Sequence, residues 1–486
     1  MDELKLLSDD VFEQIKDFDL YYHLSEEQKS LIDQLIPNEE LKERYQYYGL
    51  CKECKQPNTG CSNYCQSCNS KRFQQNFKNW TSGNHEVDKL IQKTQLNAEY
   101  PYKIMEWIEY DKFKDVEYLA KGGFGTVFKA IWKDGFINKW DYENDQWERE
   151  AETKVALKSL HNSQDITTQF LKEIEAHNSS CSSVGWIVRC FGITKDPETE
   201  NFMMIMELKE GSLRQHLNNN FISMDWVQKF CNLYGIVSGL KGIHNSGLIH
   251  RDFHSGNILS DLIGTYITDL GLCQPANVQP SQNTQNSNKE IYGVLPYVAP
   301  EVIRGKEYTQ ASDIYAFGII AYEICTGLPP YHDVAHDEFL AIKICHGLRP
   351  KNNYKIPQLL LDIINQCWDA DPLKRPDVNK LYELLWNLFN YAYNTFDPAI
   401  DKQIKEVEKI NKESTYLSTS SPLLSNGTFS YMTHPQAIYT SKLLDFKNLP
   451  EPKNTNNNED LLGSEYSESM SFDFSKLDIN SKDENN

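Results

Sequence analysis

The run His250-Arg251-Asp252-Phe253-His254-Ser255-Gly256-Asn257, with Asp269-Leu270-Gly271 downstream, constrains this chain more than any other stretch. An acid and an amide five residues apart, followed by a second acid on a D-x-G turn, form a set of oxygen donors. Such a set suits Mg²⁺, a hard cation held by few protein groups together with phosphates. Asp252 is placed to orient a hydroxyl and accept its proton.

Three further pieces lie upstream. Leu119-Ala120-Lys121-Gly122-Gly123-Phe124-Gly125-Thr126-Val127 reads as a glycine-rich turn between two strands, where the missing Cβ lets backbone N–H groups approach phosphate. Val155-Ala156-Leu157-Lys158 reads as a strand carrying a lysine, and Phe170-Leu171-Lys172-Glu173-Ile174 opens a helical pattern. Downstream stand Tyr297-Val298-Ala299-Pro300-Glu301, Asp313 at a helix start, and Asp371-Pro372-Leu373-Lys374-Arg375-Pro376.

In this order the motifs resemble those of the eukaryotic protein kinase superfamily, over residues 110–392. The resemblance implies an α+β, bilobal kinase fold: a small lobe of mostly antiparallel β-strands with one helix, then a larger, mainly α lobe. ATP would bind between the lobes. Val127, Ala156 and Leu259 would sandwich the purine, with Met206 behind it and the Glu207 and Leu208 backbone at its edge. Leu119, Ala120, Gly122 and Gly125 would belong to the loop over the phosphates. Lys158 would contact the α- and β-phosphates, held by Glu173; Glu175, on a different helix face, is the other candidate. Asn257 and Asp269 would hold Mg²⁺, with Mn²⁺ as a substitute, and Asp252 would be the base. Glu301 should pair with Arg375, and Asp313 should anchor the loop backbone. His177, Cys190, His250 and Leu270 occupy positions that stack across both lobes in kinases.

Four residues depart from the family pattern. Ala120 replaces the first glycine, Leu270 the common Phe, His254 the usual Lys and Val294 the usual Thr. Kinases resembling the tyrosine-kinase-like group vary at the last two positions. The segment before Ala299 does not resemble the tyrosine kinase pattern, so Ser or Thr is the expected acceptor, ahead of Tyr. The competing reading is a pseudokinase scaffold that binds nucleotide and recruits partners. The joint presence of Lys158, Asp252, Asn257 and Asp269 favours the enzyme. Arg251 beside Asp252 could bind a phosphate on the following segment, whose hydroxyls include Ser281, Thr284, Ser287 and Tyr292.

Near the N-terminus, Cys51-Lys52-Glu53-Cys54 and Cys65-Gln66-Ser67-Cys68 stand ten residues apart. Two C-x₂-C pairs can place four thiolates around one tetrahedral Zn²⁺, with Cys61 as a spare ligand. Four thiolates close the coordination shell, so the site reads as structural. The whole chain resembles an expanded set of fungal kinases with such a C-x₂-C…C-x₂-C module before a tyrosine-kinase-like domain.

The organisation reads in four parts: residues 1–48 as a helical segment of two short helices, 49–100 as the zinc-knuckle module with a polar helix, 110–392 as the kinase domain, and 395–486 as a disordered, acidic, Ser/Asn-rich tail. Within the tail, Ile438 to Pro450 could be a short docking motif or a chance apolar cluster. An aromatic insert at Lys133–Thr153 could meet a partner or fold back on the lobe. Net charge is −20, which argues against nucleic acid or anionic membrane as a main partner. No stretch approaches the ~18–20 apolar residues of a membrane span, and no signal peptide opens the chain. The expected setting is intracellular signalling in the cytoplasm, with the nucleus open. The expected partners are protein substrates and ATP, with a docking partner for the zinc module or tail.

Overall fold

Polar caps start each of the first helices. Ser8, Ser25 and Asn38 accept backbone N–H groups at the starts of α1 (Asp9–Ile15), α2 (Glu26–Leu35) and α3 (Glu39–Tyr48). Ile15, Ile32, Ile36, Leu41 and Tyr45 close a small core, and the Tyr45 hydroxyl donates to the Ile15 carbonyl at 2.7 Å. Three helices stand where periodicity suggested two. α3 buries only Leu41 and Tyr45 along a sequence in which half the residues are charged, which left its stripe faint. The computed structural model describes residues 7–20, 24–61, 63–121, 125–160, 167–180, 185–276, 291–351, 354–393, 398–417 and 431–454. Gly122, Ser281, Thr284 and Ser287 lie outside them. Among the described residues, no helix is long and apolar enough to cross a membrane.

The cysteine knuckles follow α3 and lead into α4 (Gln66–Asn76) and α5 (His85–Asn97). A six-stranded sheet comes next, in the order β1-β7-β8-β6-β3-β2. Its strands are β1 (Glu106–Trp107), β2 (Phe113–Lys121), β3 (Gly125–Trp132), β6 (Thr153–Leu160), β7 (Cys190–Lys195) and β8 (Phe202–Glu207). The pairings are antiparallel except β1 on β7, which is parallel. The lobe is thus mostly antiparallel, as expected, with one parallel edge strand brought in by the chain leaving the N-terminal module. A Cβ at Gly192 would stand 2.0 Å from the Glu106 carbonyl oxygen, so this pairing requires glycine there.

The aromatic insert forms a hairpin of β4 (Phe136–Asp141) and β5 (Gln146–Glu150). Both of its faces are used. Phe136 stacks on Phe191 of the sheet at 5.3 Å, while Trp147 stacks on Phe73 of α4 at 4.8 Å. Arg72 lies over the Trp140 ring at 4.2 Å, and Arg149 forks the Glu106 carboxylate at 2.7 and 3.0 Å. The insert is therefore an internal clamp between the cysteine module and the sheet.

The helix α6 (Thr168–Ser180) packs Phe170 and Ile174 against Val87, Leu90 and Ile91 of α5. The larger lobe holds α7 (Leu213–Asn220), α8 (Trp226–Asn245), α9 (Pro300–Ile303), α10 (Gln310–Thr326), α11 (Glu338–Cys345), α12 (Gln358–Cys367) and α13 (Val378–Tyr393). α10 is buried from Ser312 to Thr326, and α8 packs across α13. Short ladders carry the cleft floor: β9 (Gly211–Ser212), β11 (Ile258–Ser260) and β12 (Thr265–Ile267) in one, β10 (Leu248–Ile249) and β13 (Gln274–Pro275) in another.

The tail reading is corrected by two segments. Residues 398–417 form α14 (Pro398–Leu417), where Asn411 exchanges hydrogen bonds with the Lys355 backbone at 2.7 and 3.0 Å. Residues 431–454 lie on the larger lobe and add β15 (Lys442–Leu444), antiparallel to β14 (Ile291–Gly293). Leu444 and Leu449 are buried in the lobe's core. Composition argued for disorder because few apolar residues stand here, but those few enter a groove that exists only in the folded lobe. Residues 418–430 and 455–486 lie outside the described residues.

Candidate active site

Three charged side chains meet between the lobes. Lys158, on β6 between Val127 and Met204 of its neighbouring strands, places Nζ 2.7 Å from Glu173 Oε1 and 3.0 Å from Asp269 Oδ1. Glu173 is buried, and Glu175 points instead to Lys93 of α5 at 3.3 Å. Burial disfavours the Lys158 ammonium, but the charges of Glu173 and Asp269 outweigh it and hold its pKa above the ordinary lysine value. Asp269 sits at φ 59°, the left-handed region that a non-glycine residue enters only when its surroundings fix it. Gly271 follows, where a Cβ would stand 2.8 Å from Glu173 Oε2.

The loop from His250 to Asn257 hangs on α10. Asp313 accepts the His250 and Arg251 N–H groups at 2.8 and 3.1 Å, and His244 Nε2 lies 2.9 Å from the same carboxylate. Those bonds hold Arg251 at φ 72°. Asn257 donates from Nδ2 to the Asp252 carbonyl at 2.9 Å and to Asp252 Oδ2 at 3.2 Å. Burial pushes the Asp252 carboxyl up, yet contacts with His254 and Ser441 outweigh it and hold the pKa below the usual carboxylate value.

His254, where kinases usually carry Lys, is buried beside Asp252. Its Nδ1 accepts the Gly256 N–H at 3.1 Å, which puts the ring proton on Nε2, 3.6 Å from Asp252 Oδ2. Val294 is buried and apolar. Ser441, outside the candidate set drawn from the sequence, sits with Oγ 2.6 and 2.5 Å from the two Asp252 oxygens and 3.4 Å from His254 Nε2. No signal in the sequence ties a tail serine to a residue 189 positions earlier.

The apolar slot is assembled from several strands. Ala156 and Met206 are cross-strand partners, Met206 is buried, and Leu259 packs into the same cluster. Val127 lies on β3, whereas Leu119 and Ala120 are exposed on β2. Glu207 gives its N–H to the Arg189 carbonyl at 2.9 Å, and Leu208 follows it half-buried. His177, Cys190, His250 and Leu270 are all buried.

Two buried charge networks support the larger lobe. Arg375 forks Glu301 at 2.7 and 2.8 Å, as the resemblance implied. Glu323 accepts from Arg214, Tyr297 and Ser255 at 2.5, 2.6 and 3.0 Å. A lone Glu in the apolar stretch Ile314–Cys325 was the available signal for the second network.

The sulfurs of Cys51, Cys54, Cys65 and Cys68 lie within 4.8 Å of one another, and Cys61 is exposed. Cys51–Cys68 and Cys54–Cys65 stand 3.9 and 3.6 Å apart. A ZnS₄ tetrahedron with bonds of about 2.3 Å has edges of about 3.8 Å, so the quartet fits zinc.

A lysine–glutamate–aspartate contact bridging two lobes above a hydrogen-bonded pair of buried Asp252 and half-buried Asn257 defines a phosphotransferase cleft. Comparison with known proteins agrees: residues 113–385 match the protein tyrosine and serine/threonine kinase family. The chain belongs to this protein kinase family. It is 29% identical over 284 residues to a "Probable serine/threonine-protein kinase" of Dictyostelium discoideum, covering 57% of this chain and 28% of that protein. It is 30% identical over 289 residues to the D. discoideum "Probable serine/threonine-protein kinase roco5", covering 55% and 9%. An Arabidopsis thaliana "Protein kinase and PP2C-like domain-containing protein" is 31% identical over 219 residues, covering 38% and 33%. The matched region spans a third or less of each of these relatives.

Proposed function

We propose that the chain transfers the γ-phosphoryl group of ATP to serine or threonine hydroxyls of proteins in intracellular signalling. The observation that carries this reading is the assembled Lys158–Glu173–Asp269 contact, the arrangement that protein kinases require for phosphate positioning. Lys158 would neutralise the α- and β-phosphates while Glu173 holds it in place. Val127, Ala156, Met206 and Leu259 would enclose the purine, with the Glu207–Leu208 backbone at its edge. Asn257, whose amide nitrogen is committed to Asp252, has its amide oxygen for a divalent cation, as does the Asp269 carboxylate. Mg²⁺, when bound, would neutralise charge that develops on the transferred phosphate. Asp252 would orient the acceptor hydroxyl and take its proton, and the Nε2–H of His254 would supply the donor that a lysine usually supplies there. Rate enhancement would come chiefly from positioning and charge stabilisation.

The motif variants at His254 and Val294 support placement in the tyrosine-kinase-like group, and the cysteine quartet supports a structural Zn²⁺. The test is incorporation of phosphate into a generic basic peptide with Mg-ATP, beside Asp252→Asn. Incorporation that disappears in the variant and resides on Ser or Thr upholds the reading. Nucleotide binding with no turnover in the dephosphorylated and the phosphorylated protein alike would replace it with a scaffold.

A further inference from the structure

We propose that Ser441 is an acceptor site of this same kinase, phosphorylated within its own chain, and that residues 438–445 are its built-in substrate. The inference rests on the phosphotransfer reading above and names a substrate for it.

Register carries the argument. β15 pairs Lys442 with Gly293, Leu443 with Tyr292 and Leu444 with Ile291. Gly293 itself adjoins Asp252, since a Cβ there would lie 3.8 Å from Asp252 Oδ1. A strand that ends on Gly293 therefore delivers its preceding residue, Ser441, to the carboxylate. The hydroxyl donates between both Asp252 oxygens, at 2.6 and 2.5 Å. A carboxylate in that position holds the nucleophile and stands ready to take its proton.

The segment is fastened on both sides of the serine. Upstream, the Tyr439 hydroxyl donates to the Pro330 carbonyl at 2.9 Å. Downstream, Leu444 and Leu449 are buried, and Arg304 makes a two-pronged ion pair with Glu451. Such fastening gives the acceptor a high effective concentration with no second molecule.

The step is a single displacement. The Ser441 Oγ–phosphorus bond forms as the bond between the γ-phosphorus and the bridging oxygen of ATP breaks. The serine proton passes to Asp252, and ADP leaves. The product phosphate then stands against the Asp252 carboxylate, and like charges at that distance repel. Phosphorylation would expel the strand and open the groove to other proteins. The docked register also predicts what they carry: an apolar residue three positions after the acceptor, where Leu444 sits.

The full chain, treated with phosphatase and repurified, is incubated with Mg-ATP over a hundredfold range of protein concentration. A synthetic peptide spanning residues 436–448 is added in parallel. Phosphate on Ser441 whose rate per molecule does not change with protein concentration is the expected result. Ser441→Ala should lose that phosphate and, with its strand still docked, phosphorylate the peptide slowly throughout, without the acceleration that follows the lag of the unsubstituted chain. Leu444→Asp should release the strand, losing Ser441 incorporation while peptide phosphorylation continues. Peptide phosphorylation with Ser441 unmodified overturns this proposal and leaves the kinase reading standing. A rate per molecule that rises with protein concentration overturns the intramolecular route. Absence of phosphate from both peptide and chain defeats the kinase reading and this proposal together.

Discussion

Tyr297 donates its hydroxyl to Glu323 Oε2 at 2.6 Å, tying the segment before Glu301 to the buried helix α10. Arg214 and Ser255 converge on the same carboxylate, so one acid holds four parts of the larger lobe together. Removing one partner of such a group leaves the others without compensation. Glu323→Ala should cost about 3–5 kcal/mol, and Tyr297→Phe about 1–2 kcal/mol. Urea unfolding midpoints measure both, and equal losses for the two variants would contradict the shared-acceptor arrangement.

The cleft residues should separate binding from turnover. Asp252→Asn should lower kcat by roughly 10²–10⁴-fold while ATP affinity stays within a factor of about three. Glu173→Gln should lower kcat by on the order of 10²-fold, because Lys158 loses its fixed position. Glu175→Gln, on the helix face that meets Lys93, should change kcat little. Steady-state kinetics with calorimetric ATP titration check all three, and equal effects of the two glutamates would sink the assignment.

Removing metal should reach well beyond the cysteines. Phe73 and Arg72 of α4 pack on the hairpin that also stacks on Phe191, and α5 lies on α6. A structural zinc contributes on the order of 10 kcal/mol to folding a segment this small. Cys54→Ser or a strong chelator should release one zinc per chain and loosen α6. Elemental analysis and amide exchange at residues 168–180 report the two effects. Unchanged exchange in a metal-free protein would break the proposed coupling.

Lys229 offers a pH test. It is buried on α8, donating to the Cys325 carbonyl at 3.1 Å and the Tyr354 hydroxyl at 3.3 Å, and burial pulls its pKa down to about 8. The unfolded chain keeps this proton up to about pH 10.4 and the folded chain loses it near 8. Between those values the unfolded state binds more protons, so folding stability rises with pH. The rings of Phe221, Trp226 and Tyr354 lie 4.3, 4.6 and 4.8 Å from Nζ and offset part of the burial penalty. The gain is therefore at most about 3 kcal/mol. The stability difference between the native chain and Lys229→Met, followed from pH 7.5 to 10.5, should grow in favour of the native chain; a flat difference would refute the burial effect.

The polar machinery was legible because its chemistry fixes residue type and spacing together. Lys158, Asp252, Asn257, Asp269, Glu301 and Arg375 announce themselves within short motifs, and the structure brings Lys158 to Glu173 and Asp269 and Arg375 to Glu301. Glu173 could be chosen over Glu175 because it lies between Leu171 and Ile174, next to the buried face. Long-range packing was not legible. Trp147 meeting Phe73, β1 meeting β7, and Ser441 meeting Asp252 depend on surfaces that only the assembled fold creates. In the tail, sparse apolar residues gave the signature of an unfolded segment, although Val407, Leu444 and Leu449 bury against the lobe.

The family match begins at residue 113, but the sheet begins at β1, residues 106–107, and the helix bearing Glu173 leans on α5. A chain cut at the family boundary would leave the outer rim of β7 with unpaired amides and carbonyls, and strip Phe170 and Ile174 of their partners Val87, Leu90 and Ile91. An open strand rim beside a bare apolar helix recruits other chains. A fragment of this protein that keeps the sheet edge and the Glu173 helix covered therefore extends beyond the region that the family match spans.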